Sequence, residues 1–146
     1  MAAASFIEAT NNSGPLPKLL HRYTQALMVQ ISQGTACNRI QEIEQRCARW
    51  LLLTHDRVGL DEFSLTQEFL GQMLGVRRAT VNSIAVRFQD AGYIEYSRGR
   101  IRILDRKRLE GVSCRCHFII REEYDRMLGA LPAAALAGNP SPHGAL

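Results

Sequence analysis

Apolar residues fall at 16, 20, 23, 27 and 31, which puts Leu16, Leu20, Tyr23, Leu27 and Ile31 on one stripe of a helix. The stripe is narrow, like the seam of a coiled coil, so it predicts pairing with a partner helix such as a second copy. Gly34 and Thr35 interrupt the pattern. It resumes at Ile40, Ile43, Cys47, Trp50, Leu51 and Thr54 as a helix with a wider core face, which ends at the polar stretch His55–Gly59. Ahead of all this, the run Asn11-Asn12-Ser13-Gly14-Pro15 marks residues 1–14 as a loose leader.

After a short extended piece at Glu62–Leu65 come two short helices. Thr66 suits the N-cap of the first, whose apolar face is Leu70, Met73 and Leu74, and Gly75 sits where it must stop. Val81, Ile84, Ala85 and Phe88 form the inner face of the second, which Gly92 ends. Gly71, four residues before the turn glycine, has no side chain to hold the second helix away. Two short helices joined by a three- to four-residue turn with a glycine make a helix-turn-helix pattern.

Beyond Gly92 the period becomes two. Tyr93–Tyr96 and Arg100–Ile103 alternate around the turn Ser97-Arg98-Gly99, which predicts a hairpin with Ile94, Tyr96, Ile101 and Ile103 inward and Arg100 and Arg102 outward. Asp105 is a plausible N-cap for a short basic turn, and a last helix is expected near Phe118–Leu128. Residues 129–146, with prolines at 132, 140 and 142, read as a disordered tail.

The chain has 146 residues, enough for one core that needs neither disulfide nor metal. Its longest wholly apolar run, Ala133–Ala137, is far short of the ~20 residues that cross a bilayer. No basic segment followed by an apolar stretch opens the sequence, so the expected location is the cytoplasm and the cysteines are expected to be reduced thiols. No membrane partner is expected.

Charge changes the picture. Between Arg77 and Arg108 nine basic residues face three acidic ones, a local balance of +6 that leaves the rest of the chain at −2 within the total of +4. A clustered positive face attracts phosphates and gains from counterion release. On the second helix of the pair, the buried set turns Ala79, Asn82, Ser83 and Val86 outward, with Arg78 and Arg87 on the flanks. Such a face can enter the major groove of double-stranded DNA, where Arg78 would meet guanine O6 and N7 and Asn82 adenine N6 and N7. Arg77 and Arg78 lie in the first helical turn, where the dipole disfavours cations by roughly 0.3–1 kcal/mol each and a bound phosphate would reverse the sign.

The stretch from Ser64-Leu65-Thr66-Gln67 through Leu74-Gly75-Val76-Arg77-Arg78-Ala79-Thr80 to Gly92-Tyr93-Ile94 resembles the winged-helix DNA-binding domain of the Crp/Fnr superfamily of transcription regulators. Cys37–Leu52 is similar to the helix that opens that domain. The resemblance implies a mainly α fold with a small antiparallel β-wing, divided into a dimerisation helix at 15–35 and a winged helix-turn-helix at 36–128. It also implies a homodimer joined through Leu16, Leu20, Tyr23, Leu27 and Ile31, two-fold symmetric operators, and RNA polymerase as a further partner. By motif position Arg78 corresponds to the base-reading arginine, with Ala79, Asn82 and Ser83 beside it. Thr66, Arg77 and Thr80 correspond to phosphate contacts and Ser97–Arg100 to the wing tip; Gln67, Arg87, Ser97, Arg98 and Arg100 complete the expected phosphate set.

Two departures matter. Family members often carry an acidic residue and an arginine where this chain has Ala79 and Ser83, so a different base preference is expected, part of it from DNA shape. The sensory β-roll that normally precedes the dimer helix is missing from this sequence, which implies a piece of a longer regulator or one without its own ligand switch. The alternative function is a winged-helix module that binds protein and not DNA. An enzyme is not expected: there is no phosphate-cradling glycine loop, no His-Glu-x-x-His helix, and the histidines at 21, 55, 117 and 143 are scattered. Cys114, Cys116 and His117 offer three clustered ligands without a second pair and read as ordinary helix-start residues, so neither metal nor cofactor is expected.

Overall fold

Helix α1 spans Ala3–Asn11 and α2 spans Pro15–Ile40 in the computed structural model, which describes residues 3–11 and 15–129. Alanines at 3, 4 and 9 favour the helical backbone enough to replace the expected loose leader over 3–11. Pro15 suits the first turn of α2, where no N–H partner is needed. Gly34 and Thr35 do not end α2 as expected. Thr35 bonds its hydroxyl back to the Ile31 carbonyl at 2.9 Å, and packing of α2 against a later helix, α7 (Cys116–Leu128), offsets the roughly 1 kcal/mol cost of an internal glycine. The expected limit between residues 35 and 36 therefore lies inside one continuous helix. The break comes at Gln41, and the next helix starts at Ile43, not at Cys37 or Ile40.

Helix α3 (Ile43–Val58) begins where the Gln45 side chain accepts the Glu42 N–H at 3.3 Å, and it stops at Gly59 in the left-handed region, φ 67°. Strand β1 (Glu62–Ser64) follows, then α4 (Gln67–Leu74), α5 (Arg78–Asp90), β2 (Ile94–Ser97), β3 (Arg100–Ile103), α6 (Arg106–Val112) and α7 (Cys116–Leu128). The strands form an antiparallel sheet in the order β1-β3-β2, so the expected two-stranded wing gains the extended piece before α4 as a third strand. Phe63 pairs with Ile101 and Glu62 with Arg102. Asp105 caps α6 by accepting the Arg108 N–H at 3.0 Å.

One core joins these pieces. Leu51 and Leu52 of α3, Leu70 and Leu74 of α4, Val81, Ile84 and Phe88 of α5, Ile94 and Ile101 of the sheet, and Leu109 of α6 are all buried together. Each such side chain contributes roughly 1.5–3 kcal/mol of burial, which holds helices as short as α4 that could not persist alone. Helix α7 packs on α2 and α3, with the Tyr23 and Tyr124 rings edge to face at 6.2 Å. Residues 130–146, most of the expected disordered tail, lie outside the described residues. No helix among the described residues is long and apolar enough to cross a membrane.

Candidate nucleic-acid interface

The turn between α4 and α5 fixes the geometry of the site. The Thr66 hydroxyl accepts the Phe69 N–H at 3.2 Å and starts α4, and Gly75 ends it at φ 68°. The Val76 N–H then donates to the Gly71 carbonyl at 2.9 Å, closing a tight corner. Arg46 of α3 donates to the Leu74 carbonyl at 2.6 Å and to Asn38 of α2 at 3.1 Å. This arginine satisfies a carbonyl at the end of α4 and ties three helices together. Nothing in the spacing of the sequence signals that role.

Helix α5 presents one face to the core and one to solvent. Val81, Ile84, Ala85 and Phe88 are buried, while Ala79, Asn82, Ser83 and Val86 are exposed, as the periodicity predicts. Arg77 occupies the N-cap position, and no side chain caps the helix there. No acidic residue lies in the first turn of α5, so the positive end of the helix dipole adds to Arg77 and Arg78 within that turn. Thr80 is half-buried beside them.

Gln67 links the two helices of the motif. Its amide nitrogen donates to Asn82 Oδ1 at 3.0 Å, and its oxygen faces Arg78 Nε at 3.5 Å. Expected only as a phosphate contact, it links Asn82 and Arg78, the two side chains expected from the sequence to meet base edges. Ser83 donates to the Ala79 carbonyl at 3.1 Å, so its hydroxyl lies back along the helix.

A groove runs from this face to the hairpin, lined by Thr66, Gln67, Glu68, Arg78, Tyr96, Arg98 and Gly99, with Glu68 its one acidic member. Tyr96 braces it from two sides: its hydroxyl donates to the Leu65 carbonyl at 2.9 Å and its N–H to Gln89 at 2.8 Å. Burial pushes the Tyr96 phenol up, so the hydroxyl keeps its proton as a donor. At the hairpin tip Arg98 and Gly99 both have positive φ, 49° and 77°, the geometry of a type I′ turn between paired Ser97 and Arg100. Asn or Asp is commoner than Arg at that first position.

The basic residues of the segment are not equivalent. Arg77, Arg78 and Arg98 are exposed and form no ion pair among the described residues. Arg87 instead pairs with Glu44 of α3 at 2.8 Å, Arg100 leans toward Glu62 at 3.4 Å, and Arg102 is held between Glu62 at 2.7 Å and Glu95 at 3.4 Å. The Arg102 hydrogen bond and charge hold the Glu62 carboxyl below the usual range. Much of the local positive balance is thus neutralised within the fold, and the unpaired part is concentrated around the start of α5 and the hairpin tip.

On α2 the expected stripe divides. Tyr23 touches Tyr124, and Leu16 and Leu27 are half-buried, whereas Leu20, Tyr23 and Ile31 are 36%, 46% and 54% exposed. The face turned toward α7 carries the fully buried Ala26 and Cys37.

Comparison with known proteins places this arrangement. Residues 45–112 match the Crp-like helix-turn-helix domain. A candidate transcriptional regulator of the Crp/Fnr family from Eubacterium rectale is 29% identical, with a TM-score of 0.55 over 70% of this chain and 48% of its own. A CRP-family transcriptional regulator from Thermus thermophilus, 23% identical with a TM-score of 0.56 over 64% of this chain and 53% of its own, shares the fold. The chain therefore spans about half the length of each. No curated protein matches it at a significant level. Residues 45–112, with the α4–α5 turn at their centre and the three-stranded wing beside it, are thus similar to the Crp-like helix-turn-helix domain, on a fold shared with solved regulators of the Crp/Fnr family.

Proposed function

We propose that the chain is a sequence-specific DNA-binding transcription regulator of the Crp/Fnr type, acting as a homodimer on two-fold symmetric operators. The exposed face of α5 carries this reading: small and polar at Ala79, Asn82 and Ser83, flanked by unpaired Arg77 and Arg78, and set into a groove that ends at Arg98. Arg78 and Asn82 read base edges. Arg77, Thr80, Thr66, Ser97 and Arg98 meet phosphates, and Gln67 positions the two readers while it contacts the backbone itself. Arg87 and Arg100 join the phosphate set once their half-buried carboxylate partners, Glu44 and Glu62, yield, since ion pairs near the surface hold with only ~0–1 kcal/mol.

The exposed part of the α2 stripe is the proposed dimer surface, and in the dimer the two α5 helices lie about one helical turn of duplex apart, ~34 Å. Selection of bound sequences from random duplexes tests binding, symmetry and half-site spacing together. A palindromic consensus, with an affinity that falls steeply as salt rises, is the expected outcome. Binding that ignores both sequence and salt, with the fold intact, overturns the reading in favour of a protein-binding winged helix.

A further inference from the structure

Far from the groove, the sulfurs of Cys37, Cys114 and Cys116 lie within 4.8 Å of one another, and Cys37 Sγ stands 3.3 Å from Cys114 Sγ. Cys37 belongs to the last turns of α2. Cys114 precedes α7 and Cys116 is its first residue, so two residues of a Cys-x-Cys step converge on a third that lies 77 positions earlier. Cys37 and Cys114 are buried, and Cys116 is partly open to solvent. His117, the apparent third ligand in the sequence, turns away and bonds Asp56 at 2.9 Å.

We propose that Cys37, Cys114 and Cys116 bind one divalent thiophilic cation of the zinc class as a three-thiolate complex, which pins the end of α2 to the start of α7. Three thiolates at the usual Zn–S length of ~2.3 Å around one ion sit about 3.8–4.0 Å apart, a spacing this cluster reaches with sub-ångström adjustments. Sulfur ligands select such ions over magnesium or calcium. With no fourth protein ligand among the described residues, a water from the Cys116 side completes the shell.

Charge supports the same ion. Three thiolates with one divalent cation leave a single negative charge. Arg49 of α3 is 4% exposed, forms no ion pair among the described residues, and its Nε has no hydrogen-bond partner. Its charge acts on Cys37 and Cys116, so the guanidinium stands where it can balance the complex. An orphaned buried donor is costly, and an anionic metal–thiolate cluster beside it removes that cost. The N-terminus of α7 adds its positive dipole end to the same side.

Each ligand must lose its proton on binding: three S–H bonds break, three metal–sulfur bonds form, and three protons go to solvent. The test is titration of the reduced, metal-free full chain with Cd(II), a spectroscopic stand-in for Zn(II), under anaerobic conditions. Thiolate-to-metal absorption should saturate at one ion per chain, with up to three protons released into weak buffer. Cys116→Ser, a substitution at the most open of the three sites, should remove about one third of the absorption and weaken binding about tenfold or more. Cys47→Ala, at the buried thiol of α3 outside the cluster, should leave stoichiometry unchanged. At equal metal concentration the melting temperature of the parent chain should rise more than that of Cys116→Ser. Saturation unaffected by Cys116→Ser, or no charge-transfer absorption in a folded parent chain, overturns the proposal. So does a disulfide among these cysteines in the purified protein whose reduction restores no metal binding.

Discussion

A side-chain carbon on Gly71 would stand 3.0 Å from the carbonyl oxygen of Val76. That oxygen belongs to the backbone of the turn, and the Val76 N–H already donates to the Gly71 carbonyl at 2.9 Å, so the corner cannot open without losing a hydrogen bond. Gly71→Ala gains helix propensity of up to about 1 kcal/mol and loses more through this clash. Gly71→Val adds β-branched bulk at the same point. We expect it to cost about 1–3 kcal/mol in denaturant unfolding. A valine variant as stable as the parent would mean that the turn is not closed in this way.

Arg78→Ala should cost about 1–3 kcal/mol at the matched base pair of a selected operator and relax preference there. Gln67→Ala tests how much of that depends on positioning. With Asn82 and Arg78 released from their shared partner, specificity should fall at both positions while affinity for unrelated duplex changes little. Binding measurements on single-base operator variants separate the two effects. Equal losses on all sequences would assign Arg78 to the phosphates.

The hairpin tip separates stability from binding. Arg98 holds φ 49°, where a side chain costs about 1–2 kcal/mol that glycine does not. Arg98→Gly should leave the melting temperature unchanged or slightly higher, since the added chain entropy of glycine offsets part of the gain. If Arg98 meets a phosphate, the same variant binds DNA more weakly and its salt slope falls by about one. A lower melting temperature, or an unaltered slope, contradicts the respective half of this prediction.

Asp56 gives the fold an acid limit. Burial alone would raise its carboxyl, but hydrogen bonds from His117 and Arg106 and the Arg106 charge outweigh it and hold the group below its ordinary value. A carboxyl lowered in the folded state adds stability above its unfolded pKa of ~3.9 and loses it as pH falls through the folded value. Asp56→Asn should therefore destabilise the chain at neutral pH by about 1–3 kcal/mol, leaving Arg106 and the buried His117 poorly paired. The gap from the parent should narrow as pH falls below about 4. A gap independent of pH would mean that the carboxylate charge is irrelevant there.

The helix-turn-helix was legible because each of its marks is local. Thr66 caps, Gly75 takes a left-handed φ, and the buried set of α5 repeats at helical spacing, so periodicity alone located the outward face. Relations across long sequence separation were not legible. The pairing of β1 with β3, the hold of Arg46 on Leu74, the capture of Arg87 by Glu44 and the meeting of Cys37 with Cys114 arise only once the chain has folded. Helix α2 outran its expected end for a related reason. Glycine weakens an isolated helix, but tertiary packing decides whether it breaks one.

The last prediction concerns α2 itself. Ala26 and Cys37, fully buried, mark the side turned to α7, whereas Leu20, Tyr23, Met28 and Ile31 remain at least 36% exposed on the flank. An apolar flank of this kind on a helix that already packs on its own domain gains from a second helix, with ~25 cal/mol for each Å² removed from water. Ile31→Glu places a charge in that seam, and Ile31 makes no part of the buried core cluster, so the domain should stay folded. Sedimentation should show a shift from dimer to monomer. Affinity for a full palindrome should fall far more than affinity for an isolated half-site, because the monomer loses the effective concentration that joins the two recognition helices. If Ile31→Glu remains dimeric, the copies meet elsewhere; if it is monomeric and still prefers the palindrome to the half-site, the symmetry of the operator is not read through α2.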